Sequence, residues 1–265
     1  MKRGFVVLAA LLSCAHAWSD DGFHVFTDTQ GRTITARVLR YDARSETVSV
    51  QLDNGRNGNM PLSQLSDADQ QYVHSWVIMD GVGSTSKFKI SCDRRTVKSW
   101  TREKIGPILY TNGTREENQV LGKQFFDEVG YEITLQNRND FPLEELIVKY
   151  CIYYKQELES GTRDPFSARE GEENQGVLFG SESIGSIEKF GKMEFATKSV
   201  VIVKDMMDSR FYNSGALRGE VDGIVLKICL LGPDGDEVLR VFSLPEGAAE
   251  KFAWNEQSRP VGENK

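Results

Sequence analysis

Histidine is the scarcest catalytic side chain here, occurring at positions 16, 24 and 74 of the 265-residue chain. His16 lies in an apolar N-terminal stretch, which leaves His24 and His74, both in the first third. A histidine-based triad or a His-rich zinc site in the remainder is therefore excluded by composition. Gly180-Ser181-Glu182-Ser183-Ile184-Gly185 has the residue types of a nucleophile elbow. Its spacing is not G-x-S-x-G, and no histidine follows it, as that hydrolase order requires. Asp234-Gly235-Asp236-Glu237 has the acids of a calcium loop without the spacing, and reads as a hairpin turn. The pairs Glu116-Glu117 and Glu144-Glu145 lie in polar stretches. A hydrolase with an Asp/Glu-only site would need two such acids facing each other across a cleft. No phosphate-binding loop or dinucleotide fingerprint is present, so no cofactor, no metal ligand set and no enzymatic activity are expected.

Cysteines occupy positions 14, 92, 151 and 229. Cys92 alternates with Phe88 and Ile90 and reads as a buried thiol. In LIVKYCIYY, Leu146, Val148, Tyr150 and Ile152 share one face, with Lys149 and Cys151 on the other. In IVLKICL, Ile224, Leu226, Ile228 and Leu230 share one face, with Lys227 and Cys229 on the other. If these two strands are neighbours, a Cys151–Cys229 disulfide can form across them in an oxidising compartment.

The elements that would position these groups follow a leader. Lys2 and Arg3 precede the apolar run Gly4–Leu12, and Ala15-His16-Ala17 is an A-x-A cleavage signal. Cleavage is expected between Ala17 and Trp18, giving an exported protein, periplasmic or extracellular. Leu11-Leu12-Ser13-Cys14 is a competing lipobox-like site, which would place a lipid anchor on Cys14. The apolar run is about half the ~20 residues that a membrane helix needs, so no stable membrane span is expected. The whole chain carries a net charge of −7, and the leader contributes two positive charges to it. An acidic protein without a basic stripe is not expected to bind nucleic acid.

Period-two alternation dominates the rest. Ile34, Ala36 and Val38 alternate with polar residues, as do Val48, Val50 and Leu52. Asp53-Asn54-Gly55 follows, with Asn-Gly as a hairpin turn in which both positions tolerate positive φ. Ser66 is an N-cap for a helix bearing Tyr72, Val73 and Trp76. Met79–Ser86 reads as a Gly/Ser linker. Strands are expected at Lys87–Asp93, Tyr131–Gln136, Leu146–Tyr154, Met193–Val203, Gly223–Leu231 and Glu237–Ser243. Arg95–Lys104 is either a strand or an exposed ribbon, Thr111–Asn118 a polar loop, and Arg163–Gln175 a charged insertion. Gly232-Pro233-Asp234-Gly235 is a turn, and Gly247–Trp254 a short helix or coil. The expected fold class is all-β: a small barrel with one C-terminal helix, linked to an antiparallel β-sandwich. The expected organisation is a leader at 1–17, the barrel at 23–77, a linker at 78–86, the sandwich at 87–254 and a disordered tail at 255–265.

The string FTDTQGRTITARV, then DNG, then MPLSQLSDADQQYV resembles the Sla homology module, a Src-homology-3-like barrel. Phe26, Asp28, Gly31, Ala36, Gly55, Leu65, Ser66, Asp69 and Tyr72 fit its pattern. Phe26 stands where that family most often has Trp. The resemblance covers about a fifth of the chain. Such modules are abundant at the N-termini of exported planctomycete and verrucomicrobial proteins. A yeast endocytic adaptor uses its copy to bind short peptides with an Asn-Pro-Phe signal, so the resemblance implies a protein or peptide ligand. Asn137-Arg138-Asn139-Asp140, between two strong strands, more loosely resembles the paired B and C strands of immunoglobulin-like or fibronectin-like domains. The expected function is that of a non-catalytic exported protein-binding or adaptor protein. The alternatives are a carbohydrate-binding envelope protein, using Trp100, Tyr110, Tyr153 and Trp254, and the Asp/Glu-only hydrolase.

Overall fold

The structure is a computed structural model and describes residues 22–156, 175–207, 218–232 and 235–261. The leader with Cys14, Ala17 and Trp18, most of the charged insertion, and Pro233-Asp234 lie outside the described residues. The fold is all-β with antiparallel sheets. It divides into two units, up to Val77 and from Ile78 onward.

The first unit is a four-stranded meander of β1 (His24–Thr27), β2 (Thr33–Asp42), β3 (Thr47–Leu52) and β4 (Asn57–Pro61), in that spatial order. An isolated bridge between Asp28 and Leu65 brings the chain after β4 back to the end of β1. Phe26, Ala36, Val48, Val50, Leu65 and Val73 are buried, so the alternation in β2 and β3 does select the core face. Ile34 and Leu39 are exposed; Leu39 sits where the β2–β3 register shifts between Val38 and Arg40. The β3–β4 turn differs from the expected two-residue form. Gly55 alone has positive φ (+80°), and Leu52 N–H donates to the Arg56 carbonyl at 2.8 Å. That is the longer hairpin loop in which a single glycine closes the turn. The helix α1 spans Asp67–Gly83, and the Asp69 N–H donates to Ser66 Oγ at 3.3 Å, the expected cap.

The expected linker is not extended chain, because α1 continues to Gly83. Ile78 and Val82, one helical turn apart, are buried in the core of the second unit. Gly81 serves close packing there: a Cβ on it would lie 3.1 Å from Asn139 Nδ2 and 3.2 Å from Phe141 Cζ.

The second unit has two sheets. One contains β5 (Phe88–Leu109), β6 (Arg115–Asn137), β9 (Lys192–Ala196) and β10 (Val200–Met207). Its order is β10-β6-β5, with β9 also on β6. The other contains β7 (Leu143–Gln156), β8 (Gln175–Ile187), β11 (Gly219–Gly232) and β12 (Gly235–Leu244), in the order β12-β11-β7-β8. Phe88, Ile90, Ile133 and Leu135 of the first sheet share one core with Leu146, Val148, Tyr150, Ile152, Ile224, Leu226 and Ile228 of the second. The faces chosen by alternation in β7 and β11 are the ones that point into this core. β6 and β7 are not paired with each other but lie in different sheets, joined by a corner at Asn137–Asn139. Buried Asn137 holds that corner, donating from Nδ2 to the carbonyls of Phe141 (2.9 Å) and Ile187 (3.1 Å). The stretch Met193–Val203 is two strands, interrupted where Thr197 N–H donates to the Tyr131 carbonyl and Lys198 N–H to the Tyr150 hydroxyl.

The opposite face of the second sheet is also covered, which alternation alone does not show. Cys151, Tyr153, Val177 and Val225 pack under Ala248 of α2 (Ala248–Lys251) and Phe252, with Trp254 against them. Phe252 stacks on Tyr153 with ring centroids 4.5 Å apart. Residues 255–261 then run on as a strap instead of a disordered tail, and 262–265 lie outside the described residues. Val177 and Arg259 exchange backbone hydrogen bonds of 2.9 and 2.8 Å, and Ser258 Oγ accepts the Phe179 N–H. These contacts satisfy backbone groups at the edge strand β8, and Lys149 adds an ion pair to Glu256 at 3.2 Å.

Candidate functional site

The first unit gathers the only compact cluster with His, Ser and Asp together among the described residues. His24 on β1 meets Asp69 on α1, with Nε2 2.6 Å from Asp69 Oδ1. Asp69 Oδ2 accepts the Ser66 hydroxyl and the Thr27 N–H, both at 2.7 Å. The His24 ring stacks on Tyr72 at 3.8 Å. Burial opposes ionisation of Asp69, but bonds from Ser66, Thr27 and His24 outweigh it and hold the carboxyl below its ordinary range. The order of contacts decides the chemistry. The carboxylate stands between serine and histidine, so Asp69 and not His24 accepts the Ser66 hydroxyl. The arrangement fastens β1 to the start of α1 and does not activate a nucleophile. His74 is exposed on α1 and takes no part in this cluster.

The other sequence candidates are dispersed. Gly180 is a packing glycine: a Cβ there would fall 2.1 Å from Tyr150 Cζ, its cross-strand partner. Asp236 pairs with Lys149 at 3.0 Å. Glu116 accepts from the Tyr110 hydroxyl at 3.1 Å, Glu117 pairs with Arg115, and Glu144 and Glu145 are both exposed. Among the described residues, no group of three or more His, Cys, Asp or Glu is arranged to hold a metal ion.

The cysteine expectation is corrected by the register. β7 and β11 are neighbours, but Cys151 lies opposite Val225, and Cys229 lies opposite Ile147. Four positions along a strand separate the two cysteines by about 13 Å, against a limit of roughly 7 Å between Cα atoms for a disulfide. Cys92, Cys151 and Cys229 are all buried free thiols. Burial, with help from Asp93, pushes the Cys92 thiol up to about 12. Burial also raises Cys151 and Cys229, so none of the three is a ready nucleophile.

The four aromatic candidates do not form one platform. Tyr153 is buried beneath Phe252, and the Lys227 ammonium sits 4.0 Å above the Trp254 ring. Trp100 and Tyr110 lie instead on the long β5–β6 hairpin.

That hairpin is the feature that sequence reasoning only half described. Its strands have 22 and 23 residues, about 70 Å of strand at the usual rise. Among the described residues, β10 accompanies β6 as far as Gly122, which pairs with Met207. Beyond it, among the described residues, β6 pairs with β5, to a tight turn at Tyr110–Thr114. β5 is also the end of its sheet, so its outer edge has no neighbour among the described residues. On the face opposite buried Val129 and Tyr131, Trp100 and Phe126 face each other across the strands. Their rings are 5.2 Å apart and parallel within 4°. The Lys98 ammonium lies 5.4 Å from the Trp100 ring, and the Arg102 guanidinium 5.4 Å from the Phe126 ring. Ile105, Val120 and Val201 are exposed along the same hairpin and its neighbour β10. Register shifts flank the cationic stretch, at Thr96/Lys98 and Lys104/Ile105, leaving Lys98–Lys104 as one regular run.

No protein-family model matches the chain, and no curated protein matches it in sequence. The chain is similar to a solved structure described as the X-ray structure of Northeast Structural Genomics Consortium target SoR45. The likeness has 7% identity and a TM-score of 0.21, over 65% of this chain and 96% of that one. A likeness of that size carries no argument about function. No helix among the described residues is long and apolar enough to cross a membrane.

Proposed function

We propose that this chain is a non-catalytic exported protein-binding protein, with an Sla-homology-like first unit and its working surface on the β5–β6 hairpin. The observation that carries the reading is the β5–β6 hairpin, which bears half-buried Trp100 and Phe126 beside β10 and, past the described end of β10, exposed Ile105, Leu109 and Val120. A two-stranded ribbon is only marginally stable in water, and exposed apolar groups along one ribbon suit a partner that covers them. The order of contacts supports a binding role over hydrolysis, because Ser66 donates to Asp69 and not to His24, which is not the Ser-His-Asp order of a hydrolase.

The test is chemical cross-linking of the full chain in an envelope extract, read by mass spectrometry. A second bait replaces Ile105–Val120 with an Asn-Gly turn. A discrete protein cross-linked to hairpin residues, and lost with the shortened bait, supports the reading. Equal capture by both baits moves the working surface off the hairpin. Recovery of polysaccharide and no protein replaces the reading with the carbohydrate-binding alternative.

A further inference from the structure

We infer that the free edge of β5 between Lys98 and Lys104 takes an extended acidic peptide segment of the partner as an added β-strand. This rests on the protein-binding reading above and names the chemistry of the partner. Three observations converge on one seven-residue run.

The first is geometric. β5 ends its sheet, and Lys98–Lys104 pairs in unbroken register with Glu128–Gly122 on its other side. Its backbone is therefore already held as a regular strand, with the open edge presenting peptide groups to an incoming chain. The shifts on either side limit the regular run to Lys98–Lys104, so the added segment is short.

The second is electrostatic. Lys98 and Arg102 are exposed, share one face, and have no ion-pair partner among the described residues; they lie over the ring faces of Trp100 and Phe126. Arg95 extends the same face and meets Glu132 only at 3.8 Å. Glu128, the residue opposite Lys98, is engaged by the Ser199 hydroxyl at 2.5 Å. The whole chain is acidic, so this positive line is a local departure from its surroundings. An added strand puts its side chains about 5 Å from those of β5 on the same face. Carboxylates at alternate positions of that strand would meet Lys98 and Arg102, with Trp100 between them.

The third separates a peptide from a flat anionic surface. The positive line is one strand wide: the neighbouring positions on β6 on that face are Gln124, Phe126 and Glu128, which add no cation. A row of carboxylates on an extended chain fits one strand, whereas a broad anionic surface would also meet Glu128 beside Lys98.

The probe is a fluorescein-labelled nine-residue peptide alternating Glu with Val, titrated with the full chain and read by anisotropy and by Trp100 fluorescence. Binding is expected to weaken with salt. K98Q/R102Q, at two exposed positions and with an intact fold checked by circular dichroism, is expected to weaken it about five- to tenfold. A peptide N-methylated at alternate residues keeps its charge and loses its edge hydrogen bonds, and is expected not to bind. Equal binding of the N-methylated peptide, no effect of K98Q/R102Q, or binding only to phosphatidylserine vesicles or alginate would each overturn the inference. If the peptide fails while a protein still cross-links to the hairpin, the inference falls and the protein-binding reading stands. If neither is seen, both fall.

Discussion

Gly180→Ala tests whether the core of the second unit is built as a cross-strand glycine–tyrosine pair. The added methyl would sit 2.1 Å from Tyr150 Cζ and 2.3 Å from its hydroxyl oxygen, far inside contact distance. Tyr150 is fully buried, and its hydroxyl accepts the Lys198 N–H at 2.9 Å, so the ring cannot swing into solvent. Overpacking of this kind costs about 1–3 kcal/mol, and disturbing the hydroxyl bond adds about 1 kcal/mol. The expected loss is therefore about 2–4 kcal/mol in urea unfolding of the second unit. Tyr150→Ala alone is expected to cost about 3–5 kcal/mol as a large-to-small change. With the ring gone, Gly180→Ala should add nothing further. The double-mutant cycle then shows a coupling of about 2–4 kcal/mol. Gly106→Ala is the control: its methyl would meet Leu121 Cδ1 at 2.6 Å, but that side chain is only half-buried and can rotate away. Its expected cost is within about 0.5 kcal/mol. A mild Gly180→Ala effect, or an additive cycle, would refute the reasoning.

Asp69→Asn should destabilise the first unit by about 2–3 kcal/mol at pH 7, because it removes the charge and replaces one of the two carboxylate oxygens that meet His24, Ser66 and Thr27 with an NH2 donor. The carboxyl is lowered in the folded state, so the unfolded chain binds the proton more readily. That contribution is complete above the ordinary carboxylate range, near pH 4, and is lost as pH falls towards the lowered folded value. Thermal melts of the two proteins should converge as pH drops below about 4; a constant gap would contradict the assignment. Removing residues 255–265 takes away the Asn255 carbonyl over Cys151 and the Arg259 bridge to Val177. Cys151 should then react with Ellman's reagent at least tenfold faster, while Cys92 stays protected; unchanged Cys151 kinetics would show that the strap does not shield it. Under oxidising conditions, unfolded protein should show the same free-thiol count at Cys92, Cys151 and Cys229 with and without reductant; a Cys151–Cys229 cross-link in mass spectra would contradict the register.

Much of the fold was legible because strand faces are written locally. Leu146, Val148, Tyr150 and Ile152 alternate with Lys149 and Cys151, and the pleat alone sends the first set to the core. Ser66 was legible as a cap for the same reason: the bond to Asp69 N–H spans three residues. The linker was misread because Gly81 and Gly83 look flexible in isolation, whereas Ile78 and Val82 continue the helical stripe into a core. The tail was misread because Asn255–Arg259 has no apolar period. Its order comes from edge hydrogen bonds to Val177 and Phe179, which polar residues supply as well as apolar ones.

The candidate surface was the least legible part. Arg95–Lys104 reads as a charged strand, but whether it ends a sheet depends on which strands pair beside it. The stack of Trp100 on Phe126 joins residues on different strands and needs the hairpin register before it can be stated.

The sequence by itself determined that the protein is all-β, which strand faces are apolar, where the first helix begins, and that histidine chemistry is absent from the second unit. These depend on composition and on contacts within a few residues. Only the tertiary structure decided that Cys151 and Cys229 are kept apart, that a C-terminal strap covers the outer face of the second sheet, and that β5 ends its sheet along a cationic edge. Register, edge position and cover are relations between segments 40 to 150 residues apart, as in Tyr131 with Thr197 or Cys151 with Asn255. Local periodicity is blind to such relations, because many pairings bury the same alternating faces and only the packed whole selects one.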